Sequence, residues 1–160
     1  MSDPGGEVWT RYARGEAIPW VPLRPLTDDV LVRYYRVDPL SGEILVSARV
    51  PPGCGPVSLY QTGPIVAHTI RGAWRLREHD WVAEAGDTVS QPAGSIATAE
   101  TVGDEDTVVF LVVTGELLLF DEDGGLVWEE GWRTSLERYG EYCRGHRLTP
   151  HDLTSFPGSD

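Results

Sequence analysis

The chain contains no lysine; all 13 of its basic residues are arginine. That excludes Schiff-base chemistry through a lysine amine. Positive charge is scarce altogether, 13 basic against 25 acidic residues for a net charge of -12. Nucleic acid and anionic membrane surfaces are therefore not expected partners, because both require clustered positive charge. Cysteine is almost absent too. Cys54 and Cys143 alone do not make a disulfide framework, and a reducing cytoplasm is the expected compartment. No apolar run approaches the roughly 20 residues needed to span a bilayer. Met1 to Thr10 is polar and acidic and lacks the apolar stretch of a signal peptide. No G-x-S-x-G elbow occurs, and no glycine-rich phosphate loop or G-x-G-x-x-G turn lies between a strand and a helix. Nucleophilic-serine and nucleotide chemistry are thus not indicated.

What is present points to an all-β domain. At 160 residues the chain is long enough for one core without staples. Its 18 glycines and 12 prolines suit many tight turns. Residues 1–27, with Trp9, Trp20, Pro19, Pro22 and Pro25, read as an extended arm without regular structure. Residues 28–131 read as a barrel. The β-branched and aromatic composition predicts strands over 30–37, 44–50, 65–71, 73–78, 88–91, 96–102, 107–113, 116–120 and 126–129. Short strands with turn signals every eight to twelve residues mean a sandwich or barrel. In residues 132–160, Thr134 and Glu137 have capping-box spacing and predict a helix to about Arg144. Leu136, Tyr139, Tyr142 and Cys143 would form its buried face.

Two motif frames then align without a gap. G-x5-H-x-H-x3-E-x6-G falls on Gly53, Leu59, Gln61, Ile65 and Gly72, and G-x5-P-x-G-x2-H falls on Gly86, Pro92, Gly94 and Ala97. On these frames the chain resembles the cupins, single-domain jelly-roll barrels built as a double-stranded β-helix. The stretches "VPPG" at 50–53, "TGPIVAHTIRGAWRLREHDWVAEAG" at 62–86, "QPAGS" at 91–95 and "LERYGEYCRGHRL" at 136–148 resemble the 2,4'-dihydroxyacetophenone dioxygenase family of cupins. That resemblance implies a non-haem iron on three histidines, cleaving a carbon–carbon bond beside a carbonyl with dioxygen. The corresponding positions are Leu59, Gln61 and Ala97, and the frame's glutamate position is Ile65. None is an imidazole or a carboxylate, as such metals need. The resemblance carries the fold and leaves the iron chemistry without ligands, since function lives in the site. No metal or other cofactor is expected.

Strand parity sorts the remaining candidates. If Leu59 and Gln61 face the interior, so do Ile65, Ala67 and Thr69, with His68 outside unless a bulge intervenes. Ala97, Ala99 and Thr101 complete an apolar cavity, the general make-up of a small-molecule site. Gln61 could polarise a substrate carbonyl. Glu78 shares parity with Trp74. It either enters the barrel with a raised pKa suited to proton transfer or belongs to the solvated "REHD" rim. Tyr34 and Tyr60 are further phenol candidates without an assigned place. The expected site is therefore Gln61 and Glu78 as catalytic groups, with Leu59, Ile65, Ala67, Thr69, Trp74 and Ala97 against the substrate. Cys143, His146 and His151 lack a fourth zinc ligand, and Asp121, Asp123 and Gly124 read as a hairpin turn. The activity expected is non-redox conversion of a small, largely apolar carbonyl compound by a metal-independent cyclase, isomerase or lyase of a bacterial biosynthetic pathway. A non-catalytic ligand-binding or regulatory module is the alternative. An iron dioxygenase with an atypical set such as His68 and Glu78 is a third. A homodimer is expected, with Trp9 and Trp20 supplying interface aromatics.

Overall fold

The computed structural model describes residues 12–154; Trp9 and the expectation placed on it lie outside them. After a turn of 3-10 helix at Gly15–Ala17 the chain runs through twelve strands. They are β1 (Val21–Pro22), β2 (Leu31–Val37), β3 (Glu43–Val50), β4 (Val57–Gln61), β5 (Ile65–Arg71) and β6 (Ala73–Leu76). β7 (Ala83–Glu84), β8 (Thr88–Gln91), β9 (Ile96–Val102), β10 (Thr107–Thr114), β11 (Leu117–Phe120) and β12 (Leu126–Glu130) follow. Among the described residues one α-helix, α1 (Trp132–Gly145), follows the strands. The strands form two six-stranded antiparallel sheets, ordered β1-β2-β3-β10-β5-β8 and β12-β11-β4-β9-β6-β7. Consecutive strands repeatedly cross between the sheets, so the two close into a jelly-roll barrel with its apolar faces inward.

Alternation along the strands explains which residues fill it. In β5, Ile65, Ala67 and Thr69 are buried while Val66 and Ile70 are exposed, the period-2 pattern of a sheet with one wet face. Tyr34, Val46, Leu111 and Ala67 lie opposite one another across β2, β3, β10 and β5 and form one interior row. Two glycines of the motif frames are required by the backbone. Gly72, at φ 79°, turns β5 into β6, and a Cβ there would come within 2.6 Å of Asp106 O and Thr107. Gly94, also at φ 79°, donates its N–H to Gln61 O at 2.8 Å and so seats the β8–β9 turn against β4. Both conformations favour glycine.

Two readings of the sequence change. The stretch read as an irregular arm contributes β1, which pairs with β2, and Trp20 is half-buried with the Arg33 guanidinium 4.5 Å over its ring. It is not a free aromatic. The helix begins at Trp132 rather than at Thr134. The Thr134 hydroxyl accepts the Gly131 N–H at 2.8 Å and donates to Glu130 at 2.6 Å, so it caps the helix from inside the first turn. Buried Ser135, Arg138, Tyr139 and Cys143 fasten the helix to the barrel.

Candidate functional site

A cavity of about 310 Å³ lies inside the barrel. Leu59, Gln61, Ile65, Ala67, Trp74 and Ala97 all line it, as do Ala99 and Thr101. Leu59 and Ala97 are register partners on β4 and β9. Ile65 is the register partner of Gln91, and the Gln61 amino group donates to Gln91 Oε1. The four positions that the motif frames reserve for metal ligands therefore do line one cavity, linked across neighbouring strands. They offer three hydrocarbon side chains and one amide. That donor set does not fit iron, manganese or zinc, which need imidazole, carboxylate or thiolate, and no step is derived through a metal. Among the described residues no cluster of three His, Cys, Asp or Glu side chains could hold one elsewhere.

Gln61 is 3% exposed, and its Oε1 is buried without a hydrogen-bond partner. One N–H of its amide is engaged by Gln91, and the buried group without any partner is the carbonyl oxygen, an acceptor rather than the carbonyl-polarising donor expected. A second unpartnered atom, the indole N–H of Trp128, belongs to another cavity-lining residue. Gln61, Leu117 and Glu130 are opposite one another across β4, β11 and β12 and share the inner face. Trp128, two residues before Glu130, shares that face by parity.

Thr69 does not line the cavity. It is wholly buried, and its hydroxyl accepts the Trp74 indole N–H at 2.8 Å, so it fixes the ring that does. Glu78 is corrected more strongly. It is exposed in a surface cleft of about 690 Å³, outside the barrel, with its Oε1 accepting the Thr98 N–H at 2.6 Å. That hydrogen bond holds its carboxyl below the ordinary carboxylate range, opposite to the raised value a buried carboxylate would have. His68 has outward parity and meets Thr88 Oγ1 at 2.8 Å, so His68 and Glu78 do not form a ligand pair. His146 bonds Tyr142 O and His151 bonds Ala17 O, while Cys143 is buried in the helix interface. Asp121 Oδ1 accepts the N–H groups of Asp123 and Gly125, as a hairpin turn requires.

The chain is 36% identical to an RmlC-like cupin protein from Ralstonia eutropha JMP134, covering 91% of this chain and 94% of that one at a TM-score of 0.87. It is a cupin. An acetylacetone dioxygenase from Acinetobacter johnsonii shares the fold at a TM-score of 0.70, with 14% identity over 88% of this chain and 96% of that one. The polyketide cyclase RemF from Streptomyces resistomycificus shares it at 0.55, with 12% identity over 66% and 79%. No protein-family model matches the chain, and no curated protein does.

The cupin barrel also carries a buried ionic cluster that the sequence reading did not identify. Glu130 Oε2 accepts from Arg138 Nη1 and, at 3.0 Å, from the Tyr34 hydroxyl. Arg138 Nη1 also donates to the Tyr34 oxygen at 2.9 Å. Glu130 Oε1 accepts from the hydroxyls of Thr134, at 2.6 Å, and Ser135, at 3.1 Å. Tyr34, Glu130 and Ser135 line the cavity, so the cluster forms a charged part of its wall. Burial, reinforced by the Glu130 charge, pushes the Tyr34 phenol far above its ordinary value and keeps it protonated. Alternation in Trp128-Glu129-Glu130 was a signal that Trp128 and Glu130 share a face. Nothing in the sequence said that Arg138, on a helix, would reach them. Tyr60 has the parity opposite to Gln61 and does not line the cavity.

Proposed function

We propose that this cupin holds a small, largely apolar carbonyl-containing metabolite in the barrel cavity and converts it by non-redox chemistry without a metal. The reaction is a cyclisation, isomerisation or lyase step. The observation that carries this reading is an apolar cavity with two buried atoms lacking a protein partner, the acceptor Gln61 Oε1 and the donor Trp128 Nε1. An unmade buried hydrogen bond costs about 1–3 kcal/mol, so a ligand that satisfies both is favoured over a plain hydrocarbon. Trp128 would donate to the substrate carbonyl and Gln61 would hold a hydroxyl. Confinement would supply the reactive conformer, with Gln61 and Trp128 fixing its two oxygens. A polyketide cyclase shares the fold, which supports including ring closure in this reading.

Enolisation is shared by such reactions of carbonyl compounds, and it is directly measurable. Small cyclic ketones and β-diketones in deuterated water should exchange their α-hydrogens faster in the presence of the protein, by NMR. The rate should survive a chelator. Purified protein should carry substoichiometric iron, zinc and manganese, whereas the combined change Leu59→His, Gln61→His and Ala97→His should create metal affinity. One tightly held transition metal per chain in elemental analysis refutes the metal-free reading. Binding without turnover is the second reading. It is favoured by Glu130, whose two oxygens already accept from Thr134, Ser135, Tyr34 and Arg138. Saturable binding with no exchange and no product would select it.

Among the described residues no helix is long and apolar enough to cross a membrane. We read the protein as cytoplasmic, in keeping with its two free cysteines. A homodimer belongs to the same reading. Val66 and Ile70, 40% and 55% exposed on the outer face of β5, offer it an apolar contact. Light scattering should return twice the chain mass, and a 17.6 kDa particle at micromolar concentration refutes pairing.

A further inference from the structure

We propose that Gln91 sets the polarity of the cavity. By taking the Gln61 amino group it leaves the Gln61 carbonyl oxygen for the ligand, so the ligand is recognised through an O–H or N–H donor at that end. The inference rests on the cavity being the ligand site and adds the chemical class that the site selects.

Gln91 is the last residue of β8. Its place opposite Ile65 is fixed by the sheet register, and Pro92 takes the chain out of the sheet directly after it. A primary amide has a donor end and an acceptor end. Gln91 presents its acceptor end, Oε1, to Gln61 Nε2, so Gln61 is held with its nitrogen toward β8. Its Oε1 remains buried, unpartnered and part of the cavity-lining residue. A ligand hydroxyl in contact with that oxygen makes the missing hydrogen bond. A ligand carbonyl in the same place sets two acceptors against each other and leaves both unsatisfied. The favoured class is therefore an alcohol, phenol or enol. A carbonyl substrate fits as its enol or as a hydroxylated carbonyl compound, with the Trp128 N–H for its remaining oxygen.

Gln91 also stands between the cavity and the surface cleft. Leu76, Val89, Gln91 and Ala97 line both the cavity and the surface cleft. They are the wall between the two, and Gln91 is its polar member.

The experiment is a calorimetric titration of the full chain with two shape-matched pairs, cyclohexanol and cyclohexanone, and 1-tetralol and 1-tetralone. In a Trp128→Phe background, which removes the indole donor that a ketone could use instead, the protein should prefer each alcohol over its ketone by about tenfold, the worth of one unmade buried hydrogen bond. Gln91→Glu keeps an acceptor facing Gln61 Nε2 and should keep the preference. Gln91→Leu frees the Gln61 amide to turn and should bring the pair within about twofold of each other. A preference for the ketones, or one that Gln91→Leu leaves unchanged, overturns the inference while the cavity stands as the binding site. If neither pair binds, the inference falls together with the cavity. Should Gln91→Leu not fold, the preference in the Trp128→Phe background and its retention on adding Gln91→Glu decide the matter.

Discussion

Ala97→Trp should abolish ligand binding while the barrel stays folded. Ala97 lies on β9 opposite Leu59 and belongs to both the cavity and the cleft. An indole there occupies the space between them, and the cavity itself absorbs much of the added volume. Overpacking a filled core costs about 1–3 kcal/mol, and less is expected where space is already open. Gln61→Leu acts differently. It keeps the approximate volume and removes the unpartnered oxygen and its link to Gln91, so turnover should fall by about 10- to 1,000-fold if that contact strengthens in the transition state. The α-exchange assay reads the second variant and calorimetry the first. Activity that survives both substitutions unchanged puts the site outside the barrel.

The largest stability effect is expected at the Tyr34–Glu130–Arg138 cluster. Arg138→Met removes the counter-charge from a carboxylate that is only 7% exposed. Breaking one partner of a buried ion pair costs about 3–5 kcal/mol, because the other is left as an uncompensated charge. Glu130→Leu should cost a similar amount, with Arg138 then stranded at 8% exposure. The combined change Glu130→Leu, Arg138→Met and Tyr34→Phe should recover most of the loss, since a well-packed apolar replacement of a buried pair is often neutral or stabilising. Urea unfolding midpoints measure all three. Single variants within about 1 kcal/mol of wild type would mean that water reaches the cluster.

Much of the fold was legible because it depends on local chemistry. The motif frames marked the glycines that turn the chain, and Gly72 and Gly94 adopt the left-handed conformation that glycine alone takes readily. Parity placed Ile65 and Ala67 inside and His68 outside, because a strand that keeps its register cannot do otherwise. β4 was implicit in the inward parity of Leu59 and Gln61, although no strand signal marked its ends. Boundaries were less legible. The helix starts before its apparent cap because Thr134 turns its hydroxyl back to Gly131 and Glu130.

The sequence by itself determined that the motif positions for metal ligands hold Leu59, Gln61, Ile65 and Ala97, that each strand has one inward face, and that the barrel interior is apolar. Each of these follows from residue type and spacing. Only the tertiary structure decided which polar groups meet across that interior. It brought Gln91 to Gln61, Arg138 from a helix to Glu130 on β12, and Thr69 to Trp74, and it left Glu78 outside in the cleft. Glu78 shows why. Its strand ends at Leu76, so the alternation that would have carried it inward stops two residues short, and the Thr98 backbone takes its carboxylate instead. Periodicity fixes the direction of a side chain only while the strand lasts, and contacts between elements distant in sequence depend on where each strand ends and which neighbour it meets.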